Sequence, residues 1–271
     1  MYSYVIPLYP QHYRQVYQFL MQDEPWQLIP LDALIRYRLT HPRQRWFAEI
    51  RAGIFRGVIF QDKELVHFAY QEAPEPHSPL YAFLKKYIPS FTTHGKKEVL
   101  APLMERLLSR EVFPCKESLF VTQSPSTGQL INRPLHVPEQ LVVRLAIPQE
   151  IQRIWQLYQG SAVEREVDHE LIESLIWQHR VLVAEYRGKV VGTIMRLKES
   201  RSYSLLGALY VAPAFRRQGI ARLLGQTMLR QVIKEKKKAC FYYERNKELD
   251  RFYRQGQFVP LGTWVTYAVP F

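Results

Sequence analysis

The sequence predicts an α/β protein, of the α+β kind with a mixed sheet, built as two domains of similar size. Three observations lead there. Strand-like runs and amphipathic helical runs alternate along all 271 residues. A stretch with three prolines and a Ser-Pro-Ser-Thr-Gly run, residues 123–138, breaks the pattern near the middle. The positive charge is uneven: residues 141–271 carry 21 Lys+Arg against 12 Asp+Glu, whereas the first 140 carry 16 against 13. The expected division is therefore 1–135 and 136–271.

Periodicity sets the elements of the first half. Gln11–Gln22 reads as a helix with Val16, Phe19 and Leu20 on one side, and Leu31–Leu39 as a second. Strands follow at Trp46–Arg51, Ile54–Phe60 and Leu65–Tyr70, turned at Gly53 and at Asp62-Lys63. Pro74, Pro76 and Pro79 make residues 72–79 a loop. Helices are expected at Leu80–Tyr87 and Lys96–Arg110.

The second half opens with a strand at Leu141–Leu145 and a helix from Pro148 to about Tyr158, since proline suits a first helical turn. A further helix spans Val167–Gln178. Val181–Tyr186 and Val190–Leu197 form a hairpin across Arg187-Gly188-Lys189. Ser204–Val211 is a strand, Gly219–Lys236 a helix, Ala239–Tyr243 a strand and Lys247–Arg254 a helix. Phe258–Val269 supplies one or two strands. The order is βααβββαβαββ.

Composition narrows the classes. Hydrophobic residues at 47% and charged residues at 23% fit a globular chain and argue against disorder. No run of 18 apolar residues occurs, so no membrane span is expected. The first residues lack a basic region followed by an apolar run, which makes the cytoplasm the expected location. Cys115 and Cys240 form no CxxC pair or Cys/His cluster; they are expected to be free buried thiols, with no metal site. The net charge of +12 favours anionic ligands without choosing among nucleic acid, anionic lipid and a polyphosphate cofactor.

The informative stretch is Leu209-Tyr210-Val211-Ala212-Pro213-Ala214-Phe215-Arg216-Arg217-Gln218-Gly219-Ile220-Ala221. An apolar strand ends at Val211, a short loop follows, and a helix opens after Gly219. A helix N-terminus presents unpaired N–H groups and a partial positive charge, which together bind phosphate. Gly219 lets the backbone approach an anion closely, and Arg216, Arg217 and Arg222 add full charge. A P-loop is excluded because no Gly-Lys-Ser/Thr follows. A Rossmann turn is excluded because its three glycines are missing.

This stretch resembles the acetyl-CoA-binding signature of the GNAT N-acetyltransferases. The family pattern is Arg or Gln, two residues, Gly, one residue, then Gly or Ala, and Arg216, Gly219 and Ala221 match it. The resemblance implies acetyl-CoA as cosubstrate, held at Arg216, Arg217, Gln218, Gly219, Ile220, Ala221 and Arg222. It also implies that the strand before the loop splays from its neighbour, so that the main chain of Leu209, Tyr210 and Val211 meets the pantetheine arm and thioester. By the same resemblance Asn246 is a cofactor contact, and Tyr253 faces the departing thiolate. The family usually has Gly immediately before Phe in that region, whereas here Gly256 precedes Gln257-Phe258.

The implied chemistry is direct attack of an amine on the acetyl thioester. The amine must lose a proton, the oxyanion needs a donor such as a strand N–H near Val211, and the thiolate needs a proton that Tyr253 is placed to give. No base is assigned. Strand 204–211 has no carboxylate, and Glu164, Glu166, Asp168, Glu170, Glu199 and Glu244 read as surface charges, as does His169. The run at 234–238 reads as cations complementing a helix C-terminus.

The first half is GNAT-like in element order only. It lacks the cofactor signature, and Gly95 before the helix at Lys96 is taken as the corresponding place. It therefore reads as the degenerate half of a tandem GNAT protein. The acceptor expected is a small amine, an amino acid or a peptide amine. The alternative is a non-catalytic module that binds acyl-CoA and a partner protein. Nucleic-acid and membrane partners are not expected, and the oligomeric state is left open between monomer and homodimer.

Overall fold

The structure, a computed structural model, describes residues 3–88, 90–125, 134–161, 163–164 and 167–270. The chain divides into two compact units. The first is Met1–Val121 with Tyr242–Asp250 and Pro260–Phe271; the second is Thr122–Phe241 with Arg251–Val259. The division is not sequential. The proline-bearing stretch expected as the connection lies just after the first crossing between units, and its residues 126–133 fall outside the described residues.

The first unit begins with β1 (Ser3–Pro7), α1 (Tyr13–Met21) and α2 (Leu28–Tyr37). An antiparallel meander follows: β2 (Gln44–Arg51), β3 (Ile54–Asp62) and β4 (Leu65–Tyr70). Then come α3 (Pro79–Tyr87), β5 (Phe91–Lys96), α4 (Lys97–Leu108) and β6 (Lys116–Gln123). Ser78 caps α3 by accepting from the Leu80 N–H at 3.1 Å, and Pro79 fills the first helical position, where no donor is needed. The last strand of the chain, β12 (Phe258–Val269), pairs antiparallel with β5 from Trp264↔Lys96 to Val269↔Phe91. Val265, Tyr267 and Val269 enter a buried core with Val66, Leu84 and Leu103.

The second unit contains β7 (Leu141–Leu145), α5 (Ile151–Tyr158), α6 (His169–Trp177), β8 (Val181–Tyr186), β9 (Lys189–Glu199) and β10 (Tyr203–Val211). It continues with α7 (Ile220–Lys234) and β11 (Lys238–Tyr243), and α8 (Lys247–Gln255) begins in the first unit and ends in this one. Strands β7 to β10 are antiparallel neighbours, and β10 pairs parallel with β11. The core joins Ile154 and Tyr158 of α5, Ile172 and Ile176 of α6, and Val181, Val183 and Met195 of the sheet. The expected order of this half is present.

Three strands escaped the sequence reading. β1 alternates poorly and stays half exposed. β5 alternates well in burial, but its inward residues include Thr93 and Gly95, which carry no hydropathy signal. β6 buries Ser118 and Thr122 beside Phe120. The thiols are both free, but only Cys240 is buried; Cys115 is exposed, because it precedes a strand whose outer residues face water.

Candidate functional site

The second unit breaks its own sheet at β10. Its ladder to β9 runs Ser204↔Glu199 and Leu205↔Lys198, then shifts, and shifts again between Gly207↔Met195 and Tyr210↔Thr193. Ala208 and Leu209 therefore face the single residue Ile194, which is a β-bulge. Ala208 takes φ +53°, a left-handed conformation that costs an ordinary residue about 1 kcal/mol or more. The fully buried Tyr158 of α5 holds it there by donating its hydroxyl to the Ala208 carbonyl at 2.8 Å. Burial pushes the Tyr158 pKa up, so this hydroxyl remains a donor. The sequence reading missed Tyr158, since a buried phenol on an amphipathic helix looks like ordinary core.

On its other edge β10 pairs with β11 only at Tyr203↔Lys238, Ser204↔Ala239 and Leu205↔Cys240. From Leu206 to Val211 the two parallel strands are no longer in register contact. A strand leaving its neighbour exposes main-chain donors and acceptors that an extended ligand can take up. The candidates Leu209, Tyr210 and Val211 all lie in this segment.

The turn beyond β10 orders the basic residues. Pro213–Phe215 forms one 3-10 turn. Arg216 folds back, its Nε donating to the Val211 carbonyl at 3.0 Å and its guanidinium lying over the Tyr210 ring at 5.4 Å. Arg217, Gln218 and Arg222 are exposed. Gly219 has φ +77° and stands at the N-cap of α7. A Cβ there would lie 2.8 Å from the His136 carbonyl oxygen, so both conformation and space demand glycine. Leu223 makes the first helical bond, to the Gly219 carbonyl, and no side chain caps the N–H groups before it. Ser78 and Asp168 do cap α3 and α6 in that way. The start of α7 thus keeps the donors of Ile220 and Ala221 for a partner outside the helix.

Asn246 and Tyr253 sit on α8. Asn246 is exposed and accepts from the Leu249 N–H at 2.8 Å, so its side chain caps the helix; it belongs to the first unit. Tyr253 belongs to the second and packs on Phe241 at 4.5 Å between ring centres. Phe241 directly follows Cys240, the residue at which β11 and β10 part. The displaced glycine is accommodated: Gln257 adopts φ +52° where the family has Gly, and Gly256 gives room to Phe258, whose ring would be 2.6 Å from a Cβ.

The candidate bases are engaged elsewhere. Glu164 accepts from the Gly160 N–H at 2.8 Å, and Asp168 caps α6 from 2.7 Å. Glu199 lies 2.9 Å from Arg180, 3.1 Å from Arg196 and 3.2 Å from Lys237. Glu244 pairs with Lys116 at 3.1 Å. Glu170 and His169 are exposed at the start of α6, and Glu166 lies outside the described residues. Among the described residues no group of three or more His, Cys, Asp or Glu is arranged to hold a metal.

Residues 177–260, which contain the bulged strand, the turn and α8, match the family model described as acetyltransferase (GNAT) domain. Over that span the chain is similar to a GNAT domain. Solved structures extend the likeness to the whole chain at the level of fold. A Drosophila protein superposes with a TM-score of 0.73 at 13% identity, covering 98% of each chain. A GCN5-related N-acetyltransferase from Sphaerobacter thermophilus gives 0.67 at 13%, covering 98% of this chain and 95% of that one. A tandem GNAT protein from the clavulanic acid biosynthesis pathway gives 0.65 at 12%, covering 99% and 98%. No curated protein matches the sequence. The fold is the one these tandem and GCN5-related GNAT structures share.

The two units share an element order, which corrects one correspondence. In the second unit the third strand of the meander, β10, leads into the turn and α7. In the first unit the third strand, β4, leads into residues 71–78 and α3. The counterpart of the Arg216–Ala221 turn is therefore this loop and not Gly95, which lies within the next strand. Overlooking β5 displaced the comparison by one helix.

Proposed function

We propose that the second unit transfers an acetyl group from acetyl-CoA to a primary amine, in a small amine, an amino acid or a peptide, by direct attack. The observation that carries this reading is the uncapped, glycine-headed start of α7 directly after a bulged strand that has left its parallel neighbour. The fit to acetyl-CoA is chemical. A pyrophosphate matches the N–H groups of Ile220 and Ala221, with the guanidinium groups of Arg217 and Arg222 adding positive charge nearby. The pantetheine arm carries amides, which match the main chain of Leu209, Tyr210 and Val211. The thioester, once bound, supplies an activated acyl carbon.

The chain's own residues do the rest. The bulge at Ala208-Leu209 aims strand N–H groups off the ladder, where one near Val211 receives the developing oxyanion. Tyr253 gives its proton to the departing sulfur. Water accepts the amine's proton, as Glu164, Asp168, Glu199 and Glu244 are held in caps, hydrogen bonds and ion pairs. Arg216 braces the strand end and Asn246 braces α8, so Asn246 contributes by capping.

Titration calorimetry with acetyl-CoA, with turnover followed by thiol release, tests the reading. Gly219→Glu is expected to abolish binding by charge and by displacing the turn, while unfolding stays cooperative at a lower Tm. Arg222→Glu, at an exposed position, is expected to weaken binding at unchanged Tm. Unaltered affinity in both would overturn the assignment. Binding without turnover against any amine would favour the non-catalytic acyl-CoA module.

A further inference from the structure

The first unit contains a cavity of about 680 Å³ that the reaction above does not use. It lies between α1, the β2–β3 hairpin and the 71–78 loop. Its wall is polar: Gln15 and Gln18 of α1 and Gln22 at the helix's C-cap line it, and Gln71 bonds to Gln22. A buried carboxylate, Glu49 of β2, lines it, only 5% exposed.

Glu49 is a buried carboxylate without a cation. Tyr70 donates to its Oε2 at 2.9 Å and Ser78 to its Oε1 at 2.7 Å. Among the described residues no Lys, Arg or His pairs with it. Arg51, also on the wall, is paired with Glu75. An ionised carboxylate offers about four acceptor positions, and burial of its charge is costly unless a cation answers it. The chain invests in keeping it there. The Tyr70 ring lies where a side chain at residue 57 would stand, 2.0 Å from a Cβ, so Gly57 is needed to let the phenol reach Glu49. Glu49 also raises the Tyr70 pKa, after burial, which keeps the phenol a donor toward the carboxylate.

The surrounding charge has the same sense. Glu72 and Glu75 line the cavity with Glu49, against Arg51 and Arg56, in a chain whose net charge is +12. The wall thus leans acidic where the protein as a whole is basic, the reverse of the turn at 216–222. Anions are disfavoured here, and a cation gains a desolvated partner.

We propose that this cavity binds a small organic cation carrying a primary ammonium group, with the ammonium on Glu49 and polar substituents on the α1 glutamines. The site is independent of the acetyl-CoA site and lies wholly within the first unit. The full-length protein is titrated calorimetrically with spermidine, L-lysine and glucosamine, and with citrate and AMP as anionic counter-probes. Saturable binding of at least one amine and of neither anion at this site is expected. Glu49→Gln keeps a hydrogen-bonding side chain and removes the charge. It should weaken that amine by about tenfold or more, as loss of a charged hydrogen bond does. Gln18→Lys, exposed on the cavity wall, should do likewise without touching the core, and it decides the matter if Glu49→Gln does not fold. Neither variant should change acetyl-CoA affinity, which separates failure here from failure of the acyl-transfer reading. No saturable amine binding, preference for an anion, or unchanged amine affinity in a folded variant would overturn the proposal.

Discussion

Tyr253 meets Phe241, Phe252 and Phe258 through its ring, so Tyr253→Phe removes the hydroxyl and leaves the packing. If that hydroxyl protonates the leaving sulfur, turnover should fall by about 10²–10⁴-fold with little change in acetyl-CoA affinity. Steady-state rates with calorimetric affinities read both; a full rate at a chemistry-limited step would remove Tyr253 from the mechanism. Tyr158 poses the complementary case. Its hydroxyl touches no reacting atom but holds the Ala208 carbonyl inside the bulge. Tyr158→Phe strands a buried acceptor, which costs about 1–3 kcal/mol. Both Tm and turnover should therefore drop together, in contrast to Tyr253→Phe. A variant with lowered Tm but a full rate would show that the bulge keeps its shape unaided.

At the scale of elements, the end of β9 is tied by one carboxylate to three cations. Burial alone would raise the Glu199 pKa, but Arg180, Arg196, Lys237 and the Ser204 hydroxyl together bring it below the ordinary value. A depressed folded pKa stabilises above the unfolded value and is lost as pH falls through the folded one. Glu199→Gln removes the carboxylate that three partly buried cations share, while Arg196 and Lys237 keep Glu235 as a partner; the loss should cost about 3 kcal/mol at neutral pH, the low end for a broken buried pair. Melting curves across pH should show wild type and variant converging in acid; a constant gap would mean that the loss is one of packing. This cluster was not legible in the sequence, where Glu199 read as a surface charge, because Arg180 and Lys237 lie far from it along the chain, in the segments before β8 and β11. The turn at 216–221 was legible because strand, loop, glycine and helix are contiguous there. β5 was not, since Thr93 and Gly95 hide its inward face, and losing it misplaced the counterpart of the turn. The pairing of β12 with β5 joins residues some 170 positions apart, which local patterning does not reach.

For the whole molecule, the two units share an element order yet differ at the turn and helix start that an acyl-CoA needs, so one acetyl-CoA is expected per chain. The second unit's turn ends in Gly219 and leaves the first N–H groups of α7 uncapped. The corresponding loop of the first unit carries Glu72, Glu75, Pro74 and Pro76, and Ser78 caps α3. The Ser78 hydroxyl also donates to Glu49, so the protein's own carboxylate stands near that helix start. β4 and β5 also pair in parallel only at Leu65↔Thr92, so they too part early. Here, however, the fully buried His67 projects from β4 and bonds Gln27 at 2.9 Å. Burial, then the nearby His94, pushes its pKa down to about 3, so the ring stays neutral and offers no charge to a phosphate. The test uses the intact chain. Pro260–Phe271 belongs to the first unit and Thr122 to the second, where its hydroxyl donates to the Ala239 carbonyl at 3.1 Å. A cut after residue 135 would therefore damage both units. Calorimetry should give a stoichiometry of one acetyl-CoA for the wild type and no binding for Gly219→Glu. A second equivalent, or one that survives Gly219→Glu, would place a cofactor in the first unit and overturn the division of labour.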